Sequence, residues 1–171
     1  MTTVITEDML GAIGRETRRS VSYPISVSDI RRWAIAVYYP EEPPRLFWDE
    51  AYAATTAHGG IVAPEDFNPF AWMAADPPGL PETIGGYDPD QTEKTLGVTA
   101  PGLRNLLNGG MEVEYGVRMR PGDVITSVSR LAGYKEREGR LGVMLFTSSE
   151  TVWTNQRDEF VKRNIGTVIR Y

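Results

Sequence analysis

Residues 111–119 read Met-Glu-Val-Glu-Tyr-Gly-Val-Arg-Met, and this stretch decides the fold class. Apolar side chains occupy every odd position, while charged residues and one glycine occupy the even positions. Because side chains alternate between the two faces of a strand, a period of two predicts a β-strand with one buried face. Further strands are predicted at 124–134, 141–153 and 160–171, separated by Pro121-Gly122-Asp123, a charged hairpin tip at 135–140 and a turn at 154–158. The second half therefore predicts a meander of about four antiparallel strands whose apolar face needs a cover.

The first half of the chain predicts helices instead. Ser26 is followed three residues later by Asp29, a spacing typical of the capping box that begins a helix. Beyond it, one stripe at helical spacing faces the core while Arg31 and Arg32 face water. The stripe consists of Ile30, Trp33, Ala34, Val37 and Tyr38. Pro40 ends this helix, and a second, short helix is predicted over Trp48–Thr55.

A third helix is predicted to begin at Asp66, with Pro69 in its first turn. Its remaining residues up to Ala75 are almost all apolar, and such a helix is expected to be buried on every side. We therefore expect it to cover the sheet. Residues 76–102 contain five prolines among glycines and acids, which predicts a long loop. Helices followed by strands predict an α+β fold, and 171 residues predict one domain spanning 1–171.

Composition excludes several classes of function. The chain has no cysteine and a single histidine, so cysteine nucleophiles, iron–sulfur clusters and zinc sites built on several histidines or cysteines are excluded, and no metal site is expected. Its net charge is −5, without a long basic run, which argues against nucleic acid as a partner. No 18-residue apolar run exists, so no membrane span is predicted and a cytoplasmic location is expected.

Four stretches in this order resemble the MaoC-like dehydratases: Ser28–Ala34, Trp48–Ala53, Gly60–Pro64 and Arg120–Val124. More narrowly, the chain resembles the N-terminal MaoC type, also called FAS1-like, which includes the substrate-binding subunits of heteromeric (R)-hydratases and dehydratases. The resemblance implies a hot-dog fold, an antiparallel sheet wrapped around a central buried helix. It also implies enoyl-CoA hydratase or (R)-3-hydroxyacyl-thioester dehydratase chemistry.

Active members of that family carry Gly-Asp-x-Asn-Pro-x-His-x-Asp before the second helix, and its Asp and His move the protons. Aligned on the start of that helix, the histidine position falls on Phe47, and the Gly-Asp-x-Asn-Pro part falls within residues 39–45. Neither catalytic residue is present there. The run 66–69 copies Asp-x-Asn-Pro but has Ala71 at the histidine position, and we interpret it as a helix cap. The resemblance thus implies a silent subunit, as a homodimer or in a heteromer with a catalytic MaoC-type subunit.

Two alternatives stay open. His58 is either a displaced general base or a loop histidine beside two glycines. Glu65 and Asp66 are either plain caps or the carboxylate with which some hot-dog thioesterases activate water. A thioesterase using one of these acids is therefore the first alternative function, and a non-enzymatic acyl- or lipid-binding protein is the second.

Candidate substrate contacts follow from the resemblance and from residue type. The segment comparable to the family's carbonyl-polarising amides is Gly59-Gly60-Ile61. Aromatic candidates for the acyl pocket are Phe47, Trp48, Phe67, Phe70 and Trp72. Arg104, with Arg45 and Arg118, is a candidate for the anionic end of the ligand. No resident cofactor is expected; the substrate would be a thioester of coenzyme A or acyl carrier protein, with a fatty, steroid or polyketide chain.

Overall fold

The structure is a computed structural model that describes residues 3–73, 88–140 and 142–171. Its helices are α1 (Glu7–Gly11), α2 (Val27–Tyr38), α3 (Glu50–Ala54) and α4 (Gln91–Leu96), and a 3-10 turn spans Arg45–Phe47. Its strands are β1 (Glu16–Val21), β2 (Leu106–Tyr115), β3 (Thr126–Gly139), β4 (Gly142–Thr154) and β5 (Phe160–Arg170). The predicted α+β class is confirmed.

All five strands form one antiparallel sheet in the order β1-β3-β4-β5-β2. The predicted meander holds for β3, β4 and β5, but β2 pairs with β5 at the sheet edge rather than with β3. The sequence also failed to predict β1, because Glu-Thr-Arg-Arg-Ser-Val does not alternate between apolar and polar residues. The predicted hairpin tip at 135–140 was wrong as well, since the charged residues 135–138 continue β3 and pair with β4.

The prediction that β2 has a buried face was wrong for the single chain. Every residue of β2 is exposed, and Met111 keeps 65% of its surface. The alternation is nevertheless real, because Met111, Val113 and Tyr115 lie on one face of the sheet and the two glutamates between them lie on the other. The apolar face of β2 is thus formed but uncovered within the described part of the chain.

Helix α2 begins as predicted. Ser26 Oγ accepts a hydrogen bond from the Asp29 amide (3.1 Å), and the Asp29 carboxylate accepts one from the Ser26 amide (3.3 Å). Ile30 and Ala34 are fully buried, in the cluster that also contains Ile125 and Val161 next to or within the sheet. Val37 is exposed, contrary to the predicted stripe, although Tyr38 beside it packs against this cluster.

The predicted third helix was wrong where the structure describes it. Residues 66–73 form turns, and Asn68 Oδ1 accepts the Phe70 amide (3.0 Å), a local bond that competes with helix formation. Phe67 is buried against Trp33, with ring centroids 5.6 Å apart, so the apolar residues reach the core without a helix. Ala74, Ala75 and the first part of the predicted loop lie outside the described residues. The rest of that loop contains α4, which ends at Gly97 with a φ of 67°.

A second, smaller cluster joins α4 to the sheet. It contains Ala12, Leu96 and Leu131, and beside it Arg170 and Glu93 form a buried ion pair with Nη2–Oε1 at 2.7 Å. Arg170 also donates to Thr147 Oγ1 (2.8 Å), and Tyr134 donates its hydroxyl proton to Glu93 (2.7 Å). This polar network fixes α4 on the sheet.

Candidate functional site

An open groove of about 340 Å³ lies where the loop after α3 meets the Pro121-Gly122 turn. Three of the predicted substrate-binding residues line it: Gly59, Gly60 and Ile61. Gly59 has a φ of 64°, a left-handed conformation that glycine adopts without the steric penalty of a side chain. The structure therefore brings the predicted carbonyl-polarising segment to a cavity wall.

The backbone amides of this segment differ in what they bind. The Gly59 amide donates to the Thr56 carbonyl (2.9 Å), which closes the turn after α3. Within the described residues, neither the Gly60 nor the Ile61 amide donates to a protein acceptor. Two adjacent unpartnered donors are the elements of an anion- or carbonyl-binding site.

The groove carries one side chain of each charge, Glu50 and Arg120, and the sequence analysis singled out neither. Arg120 is held by the turn that follows it, because buried Asp123 accepts the Arg120 amide (2.8 Å). That turn is joined to the segment before α2, since Ile25 donates to the Asp123 carbonyl (2.9 Å) and Gly122 donates to the Ile25 carbonyl (2.8 Å). Arg-Pro-Gly-Asp was visible as a family stretch, but only the fold shows that its arginine meets the glycines.

The predicted aromatic pocket is divided among separate places. Phe47 is buried in the main core, with its ring centroid 6.1 Å from that of Tyr38. Trp48 donates its indole proton to the Pro43 carbonyl (2.9 Å), and Phe67 is buried against Trp33. Phe70 packs on Trp153 of β4, with centroids 5.3 Å apart, whereas Trp72 is exposed. None of these aromatic residues lines the groove.

The three candidate catalytic side chains are not brought together by any polar contact. His58 is partly buried, and its backbone amide donates to Thr56 Oγ1 (3.2 Å). Glu65 is exposed and pairs with Arg118 (3.1 Å), and Asp66 is exposed. Burial lowers the pKa of Lys162, and the Asp66 charge opposes that effect. In the described ranges, no hydrogen bond or ion pair links His58 to a carboxylate.

The arginine candidates also lie apart from the groove. Arg45 pairs with Asp49 (2.6 Å) and lies over the Tyr52 ring, 4.7 Å from its centroid. Backbone and side-chain hydrogen bonds from Tyr52 and Arg45 lower the pKa of Asp49. Arg118 is occupied by Glu65, and Arg104 is exposed just before β2. Arg120 is thus the cation that borders the groove.

The described residues contain neither a metal-ligating cluster nor a membrane-spanning helix. Among residues 3–73, 88–140 and 142–171, no group of three histidines or acids is placed to hold a metal ion. In the same ranges, no helix combines the length and the apolar character needed to cross a bilayer.

Comparison with known proteins decides the family. A family model described as "FAS1-like, dehydratase domain region" matches residues 11–164, which is most of the chain. The chain belongs to this family. The resemblance to MaoC-like dehydratases inferred from the sequence is thereby confirmed. No curated protein sequence matches the chain.

Solved structures of similar fold place this FAS1-like dehydratase region among hot-dog proteins. The ChsH1-ChsH2 complex from Mycobacterium tuberculosis matches with a TM-score of 0.64 at 18% identity, over 92% of this chain and 84% of that chain. The (R)-hydratase from A. caviae matches with a TM-score of 0.56 at 15% identity, over 91% and 94%. The HadBC dehydratase from Mycobacterium tuberculosis matches with a TM-score of 0.55 at 17% identity, over 90% and 96%. At these identities the likeness shows the fold.

Proposed function

We propose that this FAS1-like dehydratase region is the substrate-binding subunit of an (R)-specific enoyl-thioester hydratase or 3-hydroxyacyl-thioester dehydratase. The observation that carries the proposal is Phe47, which lies buried in the core. The catalytic histidine of the family motif falls on this position when the motif is placed on the start of α3. A partner subunit would supply the acid and the imidazole. The ChsH1-ChsH2 and HadBC structures are complexes of two different chains, which supports a heteromer.

The chemistry explains why a partner is required. Hydration adds the oxygen of water to the β-carbon of the enoyl thioester and a proton to the α-carbon, so one group must deprotonate the water and one must deliver the proton. A phenyl ring at position 47 can do neither. The exposed acids Glu65 and Asp66 face solvent, and no imidazole is paired with them.

What this chain contributes is a place for the thioester. The Gly60 and Ile61 amides would donate to the thioester carbonyl oxygen and stabilise the negative charge that develops there. Arg120 would bind a phosphate of the coenzyme A or acyl-carrier arm, because a guanidinium forms strong, charge-assisted hydrogen bonds with phosphate. No resident cofactor takes part in this scheme, and the expected cytoplasmic location remains a prediction.

Removing the groove's cation is expected to weaken thioester binding. We expect Arg120→Gln to raise the Kd for an enoyl-CoA at least about tenfold, since a hydrogen bond to a charged group contributes about 1.5–3 kcal/mol. Isothermal titration calorimetry measures this Kd. Arg31→Gln, on the exposed face of α2, is the matched control and should leave the Kd unchanged. An Arg104→Gln variant that lost affinity while Arg120→Gln kept it would move the ligand away from the groove.

The heteromer is tested by co-expressing the chain with a MaoC-type chain that has an intact Asp and His, such as one encoded beside it. We expect a stable complex that hydrates enoyl-CoA, with no activity from this chain alone. Release of free thiol from acyl-CoA by the chain alone would favour the thioesterase instead. A ligand that copurifies without turnover, identified by mass spectrometry, would favour an acyl- or lipid-binding protein.

A further inference from the structure

The β2 edge of the sheet carries a charge pattern that opposes pairing through β2 with a second copy of this chain. On one face of β2, Met111, Val113 and Tyr115 form an exposed apolar row. This is the core side of the sheet, because Tyr115 lies opposite Lys162 and Lys162 lies opposite Trp153, which packs on the main core. An exposed apolar row on an edge strand is the usual mark of a pairing surface.

The opposite face of the same strand is acidic. Glu112 lies across from Ile165, and Glu114 lies across from Arg163. Arg163 is shared, because its Nη1 is 3.8 Å from Glu114 while its Nε donates to Glu150 on the neighbouring strand. Glu112 has no ion-pair partner in the described residues, and the Glu114 side chain is 64% exposed. Three carboxylates therefore surround one nearby cation.

In a symmetric homodimer formed through β2, this charge pattern would bring like charges together. When two copies pair through antiparallel β2 strands about a twofold axis normal to the sheet, each face meets its own equivalent. Any register that pairs residues 111–115 then brings Glu112 and Glu114 of one copy opposite or diagonal to the same glutamates of the other. Directly opposite side chains are about 5 Å apart and diagonal ones about 7–8 Å apart, and like charges at the closer distance are destabilising.

We propose that β2 selects a different chain as its partner, one whose edge strand carries apolar residues on the core face and lysine or arginine on the outer face opposite Glu112 and Glu114. This inference rests on the proposed heteromer and names the chemistry of its partner. Burial of the apolar row would stabilise the pairing. The carboxylates of Glu112 and Glu114 would destabilise a homodimer and stabilise pairing with an edge strand that carries lysine or arginine.

A charge-swap experiment tests the proposal with this chain alone. The wild type, the E112K/E114K variant and their 1:1 mixture are compared by light scattering after size-exclusion chromatography at 50 mM salt. We expect the mixture to form a heterodimer at least tenfold tighter than either homodimer. We also expect E112Q/E114Q to self-associate about tenfold more tightly than the wild type, and 500 mM salt to reduce both differences.

The control carries the same change in net charge elsewhere. E41K/E42K alters two exposed glutamates beyond α2, and mixing it with the wild type should give no heterodimer. Association of that control mixture would show that net charge alone drives pairing, and would overturn the proposal. So would a wild-type homodimer as tight as that of E112Q/E114Q, or a charge-swap mixture that stays monomeric. The charge-swap experiment contains no substrate, so its result does not depend on catalysis. If β2 selects its partner as proposed but the resulting complex lacks hydratase activity, only the proposed function is contradicted.

Discussion

Arg170→Met is expected to lower the free energy of unfolding by about 3–5 kcal/mol, because it leaves the carboxylate of Glu93 buried without its cation. The Arg170 guanidinium is 1% exposed and donates to both carboxylate oxygens of Glu93, at 2.7 and 2.9 Å. It also donates to Asp90 (3.1 Å) and to the Pro89 carbonyl (2.8 Å). Equilibrium urea denaturation followed by circular dichroism measures the loss.

Two companion variants give this prediction its control. Arg163→Met on the same strand removes an arginine whose ion pair with Glu150 is partly exposed, and should cost no more than about 1 kcal/mol. The double variant R170M/E93L should be more stable than R170M alone, since it removes both buried charges. If R170M and R163M lowered the free energy of unfolding by the same amount, the claim that the buried network fixes α4 to the sheet would be wrong.

The same network predicts how stability depends on pH. Burial acts to raise the pKa of Glu93, but hydrogen bonds from Arg170 and Tyr134 and the guanidinium charge together hold it below its usual range. Burial and the hydrogen bond to Glu93 raise the pKa of Tyr134. Because the pKa of Glu93 is lower in the folded chain, its contribution is complete above the unfolded pKa of about 4.3 and is lost as pH falls through the folded pKa. That loss should vanish in R170M/E93L.

Gly116→Ala is the second substitution with a large expected effect. A Cβ at this position would lie 2.1 Å from the carbonyl oxygen of Phe160 and 2.8 Å from its carbonyl carbon. The backbone cannot move away easily, because the Gly116 and Val117 amides donate to the Val161 and Phe160 carbonyls at 2.9 Å each. We expect a loss of about 3 kcal/mol, at the upper end for overpacking.

Gly133→Ala is the matched control for that substitution. Gly133 also lies in the sheet, yet a Cβ there meets nothing within 4 Å in the described structure. Its free energy of unfolding should change by no more than about 1 kcal/mol. Equal losses in the two variants would contradict the close approach of β5 to residue 116.

Local patterns predicted the parts of the fold that depend on local interactions. The capping box of Ser26 and Asp29 marked the start of α2, and the alternation around Met111 marked β2. The strands of the β3–β5 meander were predicted from the turn segments that separate them. In each case the local structure depends on residues a few positions apart, so the local sequence pattern is enough to predict it.

The predictions failed where contacts between residues far apart in the sequence determine the local structure. The apolar run after Asp66 looked like a buried helix, but Asn68 makes a local turn and Phe67 reaches Trp33, 34 positions earlier in the chain, without one. α4 has little helical pattern of its own and is held by Arg170, which is 77 residues beyond Glu93. Periodicity cannot reveal such a pair.

The same limit applies to the candidate site. Gly59, Gly60 and Ile61 were visible as a family stretch, and the structure places them on a groove. Glu50 and Arg120 were not singled out, because only the crossing of the chain brings the start of α3 to the Pro121-Gly122 turn. The aromatic candidates were chosen by residue type alone, and residue type does not separate a core phenylalanine such as Phe47 from a pocket wall.

The central claim is that this chain cannot by itself move the protons of hydration. The rate at which the purified chain hydrates enoyl-CoA tests this claim directly. The purified chain is mixed with crotonyl-CoA and a longer enoyl-CoA, and the loss of absorbance of the conjugated thioester is followed. We expect no loss above the uncatalysed rate. Hydration at the rate of an ordinary hydratase, abolished by His58→Ala or Asp66→Asn, would contradict the claim.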